Sequence, residues 1–189
     1  DKSGALESFK QVGPSSNLTT ALREASAILV DERSPQAINA FFEAHRESYP
    51  DAREINFIFH AETLTSIDAS QAIDVLSLGV EAVPNSTRML YARANLLERA
   101  GRFDAAESDY RSVLELTPGD AGALNALGYA LTNNTERFSE AAELLEEAIA
   151  KDPRNPAIID SLGWVYFKLG KNRQAEVLLK EAYQQYPDP

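Results

Sequence analysis

The residue types that carry catalysis or hold metals are present in this 189-residue chain, but not at spacings that would let them work. The two histidines, His45 and His60, lie far apart in sequence. Neither stands in an HxxxH or HExxH pattern, so no pair shares a helix face to grip zinc, and packed or surface histidines are expected. Glu140, Glu143, Glu146 and Glu147 recur at spacings of three and four. Paired carboxylates suit a metal or acid–base site, but at this helical spacing they mark a solvated face. Ser161 is followed by Leu-Gly, lacks the glycines of a nucleophile elbow and has no histidine nearby. No glycine-rich phosphate loop occurs, and without cysteine there is neither a disulfide nor a thiol metal site. Asn17-Leu-Thr, Asn85-Ser-Thr and Asn133-Asn-Thr match the glycosylation acceptor pattern, which arises often by chance. The expectation is a chain with no catalytic centre, no metal and no cofactor, not an enzyme in itself.

Charge narrows the partners. The formal net charge is −11 and the isoelectric point about 4.7, with 25% charged and 44% hydrophobic residues. A field of one sign and this size repels phosphate backbones, so nucleic acid is not expected as a partner, whereas a basic segment is attracted. No apolar run reaches the roughly 18 residues a membrane span needs. The chain opens at Asp1 without methionine and closes at Pro189, where another helix would begin. It is therefore expected to be a piece of a longer protein, and missing targeting signals say little about the whole.

The elements behind these residues follow a ladder of prolines. Pro14, Pro50, Pro84, Pro118, Pro153 and Pro187 are separated by 36, 34, 34, 35 and 34 residues. A period of 34 is that of stacked helix–turn–helix units, most of which bind other proteins. Twelve residues before each of the last four prolines stand Ala72, Ala106, Ala141 and Ala175. Eight before stand Leu76, Tyr110, Leu145 and Leu179. Five before stand Gly79, Val113, Ala148 and Ala182. Small residues at fixed positions let helices approach, bulky ones fill the space beside them, and each proline stops a helix.

The units read 1–18 (a remnant helix, from Ala5 to Val12), 19–52 (degenerate), 53–86, 87–120, 121–155 and 156–189. Leu22, Ala25, Ile28 and Leu29 make one helical stripe, and Ile38, Phe41, Phe42 and His45 the next. Helices are expected near 53–65 and 69–82, with Asp68 capping the second. Gly101 and Gly170 suit left-handed turns. The extra residue of unit 121–155 is assigned to the turn at 133–137. About ten complete helices of roughly 10–15 residues are expected, in one all-α, right-handed solenoid.

Leu162-Gly163, Tyr166, Gly170, Ala175, Leu179, Ala182 and Pro187 resemble a complete tetratricopeptide signature. Leu127-Gly128, Leu131, Ala141, Leu145, Ala148 and Pro153 resemble it nearly as well. Arg93-Ala94 and Phe59-His60 replace the leucine–glycine pair in the two units before. The resemblance covers residues 19–189 and implies a non-enzymatic scaffold or adaptor with a concave face that holds a polypeptide. The stretches 123–131 and 156–164 further resemble a subgroup of bacterial outer-membrane lipoproteins. Some of those are adaptors that bring cell-wall hydrolases to a periplasmic processing protease. What this implies is a tethered scaffold on the periplasmic side of the outer membrane; the lipidated cysteine such proteins need is not in this chain.

By the family pattern, four or five positions named in each first helix face the concave surface. They fall on Glu54, Phe57, Ala61 and Leu64, then Arg88, Tyr91, Asn95, Glu98 and Arg99. Next come Gly122, Asn125, Tyr129 and Thr132, and last Ala157, Asp160, Trp164, Phe167 and Lys168. The candidate site is Arg88, Tyr91, Asn95, Arg99, Asn125, Tyr129, Asp160, Trp164 and Lys168. Asparagines both donate and accept, aromatics with a polar tip anchor interfaces, and arginines hold carboxylates. For Trp164 and Tyr91, groove and core remain open; for Phe57 and Phe167 the core is expected. Ala61, Tyr129 and Trp164 stand where the family's chaperone-binding clamp wants asparagine, so an acidic chaperone tail is not expected. Two alternatives stand beside the scaffold: an array that pairs with itself, and a regulatory arm of a larger enzyme or envelope assembly.

Overall fold

The computed structural model describes residues 2–185, and among these there are eleven α-helices and no strand. They are α1 (Lys2–Lys10), α2 (Leu18–Glu32), α3 (Pro35–Ser48), α4 (Arg53–Thr65), α5 (Ala69–Ala82), α6 (Thr87–Arg99), α7 (Phe103–Leu116), α8 (Ala121–Asn134), α9 (Phe138–Lys151), α10 (Pro156–Lys168) and α11 (Asn172–Gln185). A 3-10 turn, Pro50–Ala52, precedes α4. The chain folds as successive helical hairpins, and its contacts divide it into two compact units between Leu96 and Leu97.

The prolines act through the residue before them. Helices α3, α5, α7 and α9 end at Ser48, Ala82, Leu116 and Lys151, each two residues short of a proline. Their C-caps are Tyr49 (φ −134°, ψ 74°), Val83 (−139°, 76°), Thr117 (−134°, 76°) and Asp152 (−135°, 77°). Proline's Cδ pushes the preceding residue out of the α region, which explains why four unrelated side chains take one conformation. Pro187 lies outside the described residues.

The turns inside the hairpins differ. Gly101 (φ 72°) and Gly170 (φ 74°) are left-handed, as their position requires. The next amide donates back to the helix in each, Arg102 to Leu97 at 2.8 Å and Lys171 to Tyr166 at 2.9 Å. The extra residue expected in the 133–137 turn lies elsewhere. Helix α8 absorbs it and has 14 residues against 13 in α4, α6 and α10. It ends at extended Thr135 (φ −141°, ψ 178°), so no left-handed closure is needed there. The first helix also differs from expectation. It spans 2–10 rather than 5–12, since Gln11 and Val12 donate only three residues back, to Ser8 and Phe9. The caps at α3 and α5 follow sequence: Ser34 accepts from the Ala37 amide at 3.2 Å and Asp68 from the Gln71 amide at 3.0 Å.

In the first unit α4 is the centre. Asn56, Phe57, Ile58, Phe59, His60, Ala61, Thr63 and Leu64 are all buried, because α2, α3 and α5 each pack on it. In the second, α8 packs on α9 and α10 on α11. Gly128 lets Leu145 close on α8: a Cβ there would stand 2.6 Å from its Cγ. The in-step alanines Ala72, Ala106, Ala141 and Ala175 are buried, as are Leu76, Tyr110 and Leu145, while Leu179 is half-buried. Each buried leucine of this kind contributes roughly 1.5–3 kcal/mol.

Candidate partner-binding face

Helices α8 and α10 are the first helices of the last two hairpins and lie against each other. Asn125, Tyr129 and Asn133 follow at intervals of four along α8, so they share one face. Asp160, Trp164 and Lys168 do the same along α10, with Phe167 three residues after Trp164. The indole N–H of Trp164 donates to Asn133 Oδ1 at 3.0 Å and ties the two helices. Phe167 stacks on Trp164, with centroids 5.6 Å apart and planes at 17°. Lys168 Nζ stands 4.6 Å from the Trp164 ring centroid, a cation held over the π face.

Tyr129 is 44% exposed and Phe167 50% exposed. The core expectation for Phe167 is therefore corrected: it sits past the last turn of burial on α10, where its ring covers Trp164 rather than the interior. Trp164 is half-buried, on the face and not within the core. Oδ1 of Asn125 is buried and has no hydrogen-bond partner among the described residues, an acceptor left open beside the aromatics. Asp160 is exposed and turns toward a cleft of about 560 Å³ with Leu179 and Tyr183.

Arg99, exposed in the last turn of α6, belongs to this unit but not to the aromatic group. Arg88, Tyr91 and Asn95 belong to the first unit; Arg88 is exposed and the other two are half-buried. The face mapped onto α4 is corrected. Ala61 and Leu64 point into the core, being 2% and 0% exposed, because α4 is packed on three sides; Phe57, expected in the core, lies there at 6% exposure. Asn133 was not among the face residues named from sequence; its signal was its register, since it holds the place in its unit that Arg99 and Lys168 hold in theirs.

Several of the residues weighed for chemistry are occupied elsewhere, and Glu143 and Glu147 are exposed. Ser161 Oγ donates into its own helix, to the Ala157 carbonyl at 2.8 Å. Glu140 pairs with Arg111 at 2.5 Å, and Glu146 accepts from Tyr166 Oη at 2.8 Å. Burial, and then the bond to that carboxylate, push the Tyr166 phenol up to about 12. His45 donates from Nε2 to the Val12 carbonyl at 3.0 Å, and His60 stacks on Phe42 with centroids 4.9 Å apart.

Family models of the tetratricopeptide repeat match residues 91–156 and 135–189. A TPR repeat-containing protein of Pseudomonas aeruginosa is 36% identical over 190 residues, which take in 100% of this chain and 32% of that protein. The chain belongs to the tetratricopeptide-repeat family. Bacteriophage adsorption protein A of Escherichia coli is 31% identical over 110 residues, or 58% of this chain and 11% of that protein. This tetratricopeptide chain thus spans about a third of the length of the first of these curated relatives and about a tenth of the second. Among solved structures, MamA of Desulfovibrio magneticus is similar with a TM-score of 0.69 at 17% identity, over 88% of this chain and 93% of that one. YrrB, a TPR protein with an unusual peptide-binding site, is similar with a TM-score of 0.66 at 17% identity, over 99% and 93%. These likenesses concern the fold: an all-α solenoid of tetratricopeptide hairpins.

Proposed function

We propose that this tetratricopeptide chain is a non-enzymatic scaffold that grips a polypeptide across the α8–α10 face. The observation that carries this reading is the joint presence there of two half-exposed aromatics, a braced indole and a buried acceptor without a partner. Aromatic rings give contact area at low entropic cost, and the Asn125 amide can both donate and accept. The fold likeness to a protein with a peptide-binding site supports the same class of ligand. The reading extends to an adaptor on the periplasmic side of the outer membrane, supported by the lipoprotein resemblance of residues 123–131 and 156–164. In that setting the partners are a processing protease and the hydrolase delivered to it.

The test is capture. Immobilised chain incubated with periplasmic extract should retain a partner that Tyr129→Ala/Trp164→Ala loses by about tenfold or more, or about 1.4 kcal/mol. Equal capture by both proteins sinks the α8–α10 site, and capture of nothing sinks the scaffold. Fractionation of the full-length protein decides the address. A cytoplasmic location ends the adaptor reading.

A second reading rests on the flank of α10 and α11. Val177 and Tyr183 are each 62% exposed, and Phe167, Leu179 and Tyr183 border a cleft of about 460 Å³. Such a face suits a second copy of the array. Sedimentation of the chain at rising concentration tests it, and a monomer throughout rejects it.

A further inference from the structure

The first unit holds a cleft of about 630 Å³ lined by apolar side chains and two arginines. Its floor is apolar: Ile55, Ile58 and Phe59 recur at intervals of three and one along α4 and present one face. The Thr63 hydroxyl, 2.8 Å from Ser26 Oγ, links α4 to α2. Two arginines line the cleft, Arg23 from α2 and Arg88 from α6.

Neither arginine has an ion pair or hydrogen bond among the described residues, in a chain with 29 acidic residues against 18 basic ones. Arg111 and Arg137, by contrast, share Glu107 and Glu140 between them. Arg88 also stands in the first turn of α6, where the helix dipole disfavours a cation. Among the described residues, no carboxylate of the unit pairs directly with either arginine, although Glu62 lines the same cleft. A guanidinium beside an apolar floor and short of a carboxylate is a half-made, bidentate ion pair.

We propose that this cleft is a second binding site, distinct from the α8–α10 face, for an acidic peptide segment in which an aliphatic side chain is flanked by Asp or Glu. The aliphatic group rests on Ile55, Ile58 and Phe59, and the flanking carboxylates pair with Arg23 and Arg88. Glu62, also at the cleft, disfavours a further acid and sets a limit on the charge the site accepts. The site departs from the chain's general preference for basic partners, since local pairing acts at contact while the net charge acts at a distance and is screened.

The probe is a fluorescein-labelled peptide of sequence Gly-Glu-Leu-Glu-Gly, compared with the same peptide carrying Gln in place of Glu. Anisotropy is read on the whole chain. The acidic peptide should bind about tenfold more tightly than the neutral one, and Arg23→Gln/Arg88→Gln should remove that difference. Ala27→Trp, which fills the cleft and keeps both arginines, should weaken the acidic peptide by a similar factor. Tyr129→Ala/Trp164→Ala should leave it unchanged, so failure here and failure of the α8–α10 site are separable. Equal affinity for both peptides, or for wild type and the double arginine variant, overturns the proposal. Arg23, Ala27, Arg88 and Tyr129 are exposed and Trp164 is half-buried, and far-ultraviolet circular dichroism checks that each variant folds.

Discussion

Nη1 of Arg46 donates to Nδ1 of His60 at 3.0 Å, and the same nitrogen donates to Oδ1 of Asn56 at 2.7 Å. From this one guanidinium two lines of hydrogen bonds run through the first unit. His60 Nε2 passes the direction on to Asn39 Oδ1 at 2.8 Å, Asn39 to Gln71 at 3.0 Å, and Gln71 to the Asp68 carboxylate at 2.8 Å. The other line runs from Asn56 Nδ2 to His45 Nδ1 at 3.0 Å and from His45 Nε2 to the Val12 carbonyl. Every donor meets an acceptor only if both rings are neutral with the proton on Nε2. The lines bind α3, α4 and α5 to each other and to the residues that follow α1.

Acid should therefore loosen this unit first. Burial, with the Arg46 charge second, lowers the His60 imidazole to about 3, and burial lowers His45 as well. An unfolded histidine takes up a proton near 6.5, while folded His60 refuses it until far lower. The stabilisation is whole above about pH 6.5 and is lost as pH falls toward 3, at up to about 1.4 kcal/mol per pH unit for each histidine. Urea unfolding between about pH 7 and pH 5, where most carboxylates stay ionised, measures the slope. His60→Gln should reduce it. An unchanged slope refutes the role given to His60.

Arg46→Met should cost about 2–4 kcal/mol. It leaves Asn56 Oδ1 and His60 Nδ1 buried without their donor and removes the cation from over Phe57, whose centroid lies 4.4 Å from the guanidinium carbon. The His60 pKa should move up, because the neighbouring positive charge is gone. Chemical denaturation and imidazole proton shifts read the two effects separately.

Gly128→Ala and Gly163→Ala should differ although both occupy the same place in the repeat. The added Cβ meets Leu145 Cγ at 2.6 Å in one and Leu179 Cγ at 2.8 Å in the other. Leu145 is fully buried and cannot give way, so Gly128→Ala should cost about 1–3 kcal/mol despite alanine's better helix propensity. Leu179 is half-buried and can turn outward, so Gly163→Ala should cost less. Paired denaturation curves compare them.

Trp164 is the chain's one tryptophan and reports on its face directly. Asn133→Ala should free its indole N–H to water and shift emission to the red. A partner seated on α8 and α10 should shift emission to the blue. The acidic peptide proposed for the first unit should leave it unmoved, which again separates the two sites.

The sequence by itself determined the rhythm of the fold. A proline's effect on its neighbour and a glycine's tolerance of positive φ are local properties, so helix ends at Ala82 or Arg99 are legible without any tertiary contact. The burial of Ala72, Ala141 and Leu145 was legible for a related reason: periodicity fixes which face of a helix they share.

Only tertiary packing decided which face meets which neighbour. Helix α4 carries apolar residues nearly all round, so its pattern does not say that Ala61 and Leu64 turn inward while Ile55 and Glu62 line a cleft; the helices packed on it decide that. The lines from Arg46 join residues as distant in sequence as Val12 and Gln71, and the brace between Trp164 and Asn133 spans two hairpins. Such bonds depend on distances set by the stacking of several helices, and a linear order of residue types does not contain those distances.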